Sequence, residues 1–135
     1  METLAKLALK SATAYPDKMA VKDSYRSFTY KELIVRAQAL AAYFHSKGMQ
    51  KGDRIGILMK NRLEHIELDI AVALAGLVKV PLNYRLHPKE HQYMLDDAGV
   101  SLLIGDEALI APIECEVEAL AVGEPYEREV QSQLG

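Results

Sequence analysis

The sequence predicts an α/β fold, an open and mostly parallel sheet layered between helices on both faces. Three observations carry this expectation. Ile55-Gly56-Ile57-Leu58-Met59 is a short apolar run without alternation, which suits a strand buried on both faces. Leu63, Ile66, Ile70, Ala73, Leu74 and Leu77 then recur at helical spacing, with Asn61 and Glu64 placed as a capping pair and Gly76 as a stop. A second apolar run, Val78-Lys79-Val80-Pro81-Leu82-Asn83, follows at once. A connection that contains a helix is too long for a hairpin, so the two strands should run parallel with a right-handed crossover.

The remaining elements follow in chain order. Leu4, Leu7, Ala8 and Ser11 share one face of a first short helix bounded by Pro16. Met19 to Lys22 and Ser27 to Thr29 flank Asp23-Ser24-Tyr25-Arg26 as a small hairpin. Thr29 opens a second helix, with Glu32 in the reciprocal capping position and Gly48 at its end. Leu33, Ala37, Leu40, Ala41 and Phe44 form its buried stripe; Lys31, Arg36, Gln38 and Lys47 fall off it. Pro88 suits the first position of a further helix that carries His91, Met94, Leu95 and Ala98 on one side and ends at Gly99. Val100 to Ile104 reads as a strand, Glu107 to Ala111 as a helical turn, and Val117 to Val122 as one more strand. Residues 124–135 lack periodicity and are expected to fray. The whole chain, 1–135, reads as a single domain.

Length and composition bound the function. A chain of 135 residues, half of them hydrophobic, can bury one core. A net charge of −3 gives no general attraction to nucleic acid. The charge is uneven, because eight acids from Asp106 onward face a single base, Arg128. One cysteine, Cys115, leaves no disulfide framework and suits a reducing, cytoplasmic compartment. The opening Met1-Glu2-Thr3-Leu4-Ala5-Lys6 has no basic region leading into an apolar core, and no apolar run approaches a membrane span.

The residues that could carry chemistry have structural readings. Gly48, Gly52 and Gly56 fall on a helix end, a turn and a strand, not on a phosphate-cradling loop, which clusters its glycines before a helix. His87 and His91 stand four apart around Glu90, a spacing zinc can use on a helix; His87, however, precedes Pro88 and no third ligand is near. His45 and His65 are isolated. Asp96 and Asp97 are helix neighbours that point apart. Cys115 sits between Glu114 and Glu116, which would raise a thiol pKa and not activate it. Arg54 and Lys60 suit strand ends, and Lys79 interrupts an apolar run, as on an edge strand. No residue is therefore expected to be catalytic, cofactor-binding or metal-binding.

A longer ordered pattern goes further. Phe28-Thr29-Tyr30-Lys31-Glu32-Leu33, a helix with Ala37 and Leu40-Ala41, Lys47-Gly48, Lys51-Gly52-Asp53-Arg54-Ile55-Gly56-Ile57-Leu58, Asn61 with Glu64 and Ile66, Ala73, Gly76, Val80-Pro81-Leu82-Asn83 and Arg85-Leu86-His87-Pro88-Lys89-Glu90 stand in one order at one spacing. Together they resemble the N-terminal region of the AMP-forming adenylating enzymes, and within these the acyl-CoA synthetases for fatty or aromatic acids. The chain departs from that pattern at His87, where a Thr or Ser cap is common, and at Lys79, where a small apolar residue is usual. The first change should weaken the helix start by about 1 kcal/mol or less.

The resemblance implies an incomplete part of a larger N-terminal domain. It implies a scaffold for an acid–CoA ligase, in which a carboxylate and ATP give an acyl-adenylate that CoA converts to a thioester. ATP, Mg2+ and CoA are then cofactors of the full-length enzyme, and the motifs that hold them have no counterpart in this sequence. The isolated chain is expected to be inactive, to depend on the remainder of the ligase chain as its partner, and to self-associate through an unfinished surface. The alternative is a stand-alone interaction or structural module without catalysis.

Overall fold

Thr29 and Glu32 show how local chemistry sets the first well-defined element of the structure, a computed structural model that describes residues 4–22, 26–60, 63–114 and 116–134, without the side chains of Leu4, Ala5 and Ala8. Thr29 Oγ1 accepts the Glu32 amide at 3.1 Å, and Glu32 Oε1 accepts the Thr29 amide at 2.9 Å. This reciprocal pair starts helix α2 (Tyr30–Ser46) by satisfying two amides that lack intrahelical partners. All five residues expected on its buried stripe are buried, and so are Ile34, Ala39, Tyr43 and Arg36. Arg36 was expected at the surface and is not.

Before it lie helix α1 (Leu4–Ala14) and an antiparallel hairpin, β1 (Met19–Lys22) with β2 (Ser27–Thr29). The expected hairpin turn at Asp23-Ser24-Tyr25 falls outside the described residues. Among the described side chains of α1, Leu9 and Ala12 pack against the core, while Leu7 is 48% exposed. Of the rest of the expected stripe, Ser11 is half-buried and the side chains of Leu4 and Ala8 lie outside those described; α1 lies on α2 and α3.

The sheet has four parallel strands in the order β4-β3-β5-β6, namely β4 (Val78–Pro81), β3 (Arg54–Leu58), β5 (Val100–Asp106) and β6 (Glu118–Val122). Helix α3 (Leu63–Ala75) connects β3 to β4, and α4 (Pro88–Ala98) carries the chain back across β3 to β5. The two moves run in opposite directions across the sheet. A constant right-handed crossover therefore puts α3 and α4 on opposite faces. The short α5 (Glu107–Ile110) leads to β6 on the same side as α4.

Two cores result. The larger holds Ile55, Ile57, Leu102 and Ile104 of the sheet against α2, α3 and residues of the chain's last helix. The smaller holds Leu58 and Leu103 under Leu95 of α4. Central β3 and β5 are buried on both faces, edge β6 buries Leu120 and Val122 on one, and edge β4 has no fully buried residue, so burial tracks position in the sheet.

Two sequence expectations fail here. Residues 124–135 were expected to fray, but Glu124–Leu134 is helix α6, with Tyr126 and Val130 fully buried. Its apolar anchors are few, and much of its docking is polar, so periodicity did not reveal it. The stripe of α3 holds in part: Leu63, Ile70 and, just past the helix, Leu77 are buried as expected, but Glu64, Glu67, Leu68 and Ala71 are buried too, whereas Ile66 is 41% exposed and Ala73 is exposed. Two buried carboxylates displaced the apolar stripe; the Asn61 cap expected for this helix lies outside the described residues. No helix among the described residues is long and apolar enough to cross a membrane.

Candidate functional site

In open parallel sheets, ligands gather beyond the carboxyl ends of the strands, where successive crossovers leave in opposite directions. Here that place lies between β3 and β5. After β3 the chain passes through Met59 and Lys60, and the Lys60 amide donates to Asp106 Oδ2 at the end of β5, at 2.9 Å. His65 Nε2 donates to the Met59 carbonyl at 3.2 Å, folding the start of α3 over the same strand end. Neighbouring β4 is tied in by Leu82, whose amide donates to the Ile57 carbonyl at 2.9 Å.

The loop from β4 to α4 then forms a tight set of turns. Asn83 Oδ1 accepts the Arg85 amide at 2.9 Å, and the Asn83 carbonyl accepts the Leu86 amide at 3.1 Å. This side-chain-to-backbone turn is what an asparagine offers at a strand end. It presents the Tyr84 ring between two cations, with the Arg85 guanidinium 5.4 Å and Lys60 Nζ 5.9 Å from its centroid. Arg85 and Lys60 are exposed and Tyr84 half-buried. The arrangement can attract an anionic group and stack a planar one; it contains no nucleophile paired with a base.

The histidines considered for zinc separate by role. His87 is the N-cap of α4, its Nδ1 accepting the Lys89 amide at 3.1 Å. His91 is 2% exposed, and its Nε2 donates to the Asn83 carbonyl at 2.7 Å. Among the described residues no group of three His, Cys, Asp or Glu side chains could hold a metal ion. His45 is exposed in the last turn of α2. Asp96 and Asp97 are exposed near the end of α4, which closes on Gly99 at φ 64°. Gly48 and Gly52 occupy turns at φ 81° and 90°, and Gly56 lies within β3. Arg54 donates to the Ala98 carbonyl, Lys79 pairs with Asp69 of α3, and Cys115 is outside the described residues.

Sequence reasoning missed the main charged cluster. Arg36 of α2 donates to Glu67 of α3 through Nε at 2.5 Å and to Glu127 of α6 through Nη1 and Nη2 at 2.9 and 2.6 Å. Arg26 bridges Glu64 at 2.5 Å and Glu127 at 3.1 Å. The Phe28 ring lies 4.6 Å from the Arg36 guanidinium. Burial lowers the Arg36 pKa, but the two carboxylates more than offset this and hold it above its ordinary value. Burial pushes Glu67 above the usual carboxylate range despite its bonds to Arg36 and Tyr126. For Glu127, burial also pushes upward, and Arg36 and Arg26 outweigh it, leaving the group below that range. A signal existed: Glu64 and Glu67 are three apart, so they share a helix face with Leu68 and Ala71.

A cleft of about 1000 Å³ opens between α4, β5 and the strand β6, lined by Asp96, Glu114, Glu116 and Glu118. Its charge repels polyanions. Lys47, paired with Glu118, stands at its border with α2.

Comparison with known proteins gives findings of three kinds, a family model, curated relatives and a solved structure. A family model described as AMP-binding enzyme matches residues 9–133. The chain is 34% identical to 2-succinylbenzoate–CoA ligase of Geobacillus kaustophilus, over 91% of this chain and 25% of that protein. It is 32% identical to long-chain-fatty-acid–CoA ligase of Bacillus subtilis, over 76% of this chain and 18% of that one. In structure it is similar to the N-terminal domain of FACL13 from Mycobacterium tuberculosis, with a TM-score of 0.87 and 25% identity over 98% of this chain and 36% of that chain. The chain spans about a quarter or less of the length of these curated relatives.

Proposed function

The chain belongs to the family of AMP-binding enzymes, and on that premise we propose that it is the scaffold part of an ATP-dependent acid–CoA ligase. In the proposed reaction a carboxylate attacks the α-phosphate of ATP, giving an acyl-adenylate and pyrophosphate. The thiol of CoA then attacks the acyl carbon and AMP leaves. The acid is a fatty acid or a related carboxylic acid, a reading supported by the names of the Bacillus subtilis and Geobacillus kaustophilus relatives. The observation that carries the proposal is the family match across residues 9–133, which covers every strand of the parallel sheet.

ATP, Mg2+ and CoA are cofactors of the whole enzyme in this reading. Among the described residues no group of three His, Cys, Asp or Glu side chains could hold a metal ion, and the cleft between α4, β5 and β6 is lined by carboxylates, which repel a triphosphate. No step of the reaction is assigned to the described residues. The chain's own contribution is a rigid sheet whose carboxyl edge, with Lys60, Tyr84 and Arg85, faces the rest of the enzyme. A cytoplasmic location belongs to the same proposal, supported by the single cysteine.

Exchange of labelled pyrophosphate into ATP, driven by a panel of carboxylic acids, tests the reading. The 135-residue chain should give none. Acid-dependent exchange would show that the reacting groups lie in this chain and refute the scaffold role.

A further inference from the structure

We propose that His91 is a positioning residue, which fixes the loop from Asn83 to His87 and thereby the direction in which Tyr84 and Arg85 leave the sheet edge. The inference rests on the loop geometry and not on the ligase reading.

The Asn83 carbonyl is the anchor. It accepts the Leu86 amide at 3.1 Å and His91 Nε2 at 2.7 Å, so both of its lone pairs are used. A carbonyl can only accept, which makes the His91 ring the Nε2–H tautomer with a bare lone pair on Nδ1. That Nδ1 is buried and has no hydrogen-bond partner among the described residues. A purely apolar role would be filled better by leucine, because the ring carries a buried acceptor that receives nothing. What the imidazole adds is one donor, delivered from the first turns of α4 back to the loop that precedes them.

The loop's other bonds are local. Asn83 Oδ1 holds the Arg85 amide at 2.9 Å, and His87 Nδ1 holds the Lys89 amide at 3.1 Å. Among the described residues only the His91 bond reaches from the helix body to the loop's first residue. Without it, Tyr84 and Arg85 would rest on a turn that can rotate about the end of β4. With it, the aromatic ring is kept between Arg85 and Lys60 before any ligand arrives.

The test combines a spectroscopic signature with a reach-matched pair of variants. In the wild-type chain, nitrogen-15 shifts of His91 should show a protonated Nε2 and a bare Nδ1. The opposite tautomer, or rapid exchange between the two, would overturn the assignment whatever the variants do. Glutamine places its amide nitrogen near the position of Nε2, whereas asparagine falls short. His91→Gln should therefore keep the slow hydrogen exchange of the Arg85 and Leu86 amides. His91→Asn should speed those amides roughly five- to tenfold while amides of β3 and β5 are unchanged. Equal rates in both variants, or acceleration spread evenly over loop and sheet, would refute the positioning role.

Discussion

Tyr126, in the first turn of α6, donates its hydroxyl to Glu67 of α3, although the two stand 59 residues apart in sequence. Glu67 is fully buried and also takes two bonds from Arg36, which in turn grips Glu127 beside Tyr126. The last helix is therefore held to the body of the protein by a desolvated charge cluster as well as by Val130 in the core. Such clusters contribute little net stability when whole, yet losing one member leaves a buried charge without compensation.

Arg36→Ala should destabilise the chain by about 3–5 kcal/mol, because it strands Glu67 and removes most of the partners of Glu127. Urea denaturation measures this. A loss below about 1 kcal/mol, the scale of an exposed pair, would show that the cluster is solvated in solution.

The pH dependence follows from Glu127. Its folded pKa lies below the ordinary value of 4.5, so its contribution is fully present above that pH and is lost as pH falls through the folded value. Glu67, held up by burial, has the opposite sign: its contribution is greatest below 4.5 and is lost as pH rises through its folded pKa. In Glu127→Gln the first effect is gone. The melting-temperature gap between wild type and Glu127→Gln should be widest above pH 4.5 and shrink below it. A gap that is constant with pH would contradict the assignment.

Two glycines in the central strands should respond differently to alanine. A Cβ on Gly105 would lie 2.0 Å from the Leu58 carbonyl oxygen, so β3 and β5 could not keep their separation. A Cβ on Gly56 would meet only side-chain ends, the nearest being Leu95 Cδ2 at 3.1 Å. Gly56→Ala should cost about 1–3 kcal/mol, as overpacking does, and Gly105→Ala more than that. Thermal melts of the two variants decide the order; Gly105→Ala as the milder change would refute the packing described.

We expect the isolated chain to self-associate. Leu7 and Ile66, 48% and 41% exposed, line a mostly apolar groove between α1, α3 and the hairpin. The sheet edges offer less, since β4 ends in Pro81 and carries Lys79 while β6 begins with Glu118. Sedimentation velocity over a concentration series should show association that Ile66→Ser weakens. A monomer at every concentration would contradict this.

The order of elements was legible from Arg54 to Ile104 because buried parallel strands are unbroken apolar runs and their helices are capped by recognisable residues. Thr29, Glu32 and Gly99 act as read. Most of what sequence did not reveal shares one cause: burial by charge pairing leaves no apolar signature. Arg36 looked like a surface residue, Glu64 and Glu67 rotated the apparent stripe of α3, and Tyr126 looked like part of a loose tail. Each makes sense only beside a partner from another element. The two cations beside Tyr84 were hidden for a different reason: Lys60 follows β3 and Arg85 follows β4, and only the fold brings both to one ring.

The central claim is that this chain supplies a scaffold and no reacting group. Its most direct test is to incubate the chain with ATP, Mg2+, CoA and a panel of fatty and aromatic acids, and to look for acyl-adenylate and acyl-CoA by mass spectrometry. The account predicts that neither forms above the protein-free control. Either product, dependent on the chain and on the acid, would contradict it.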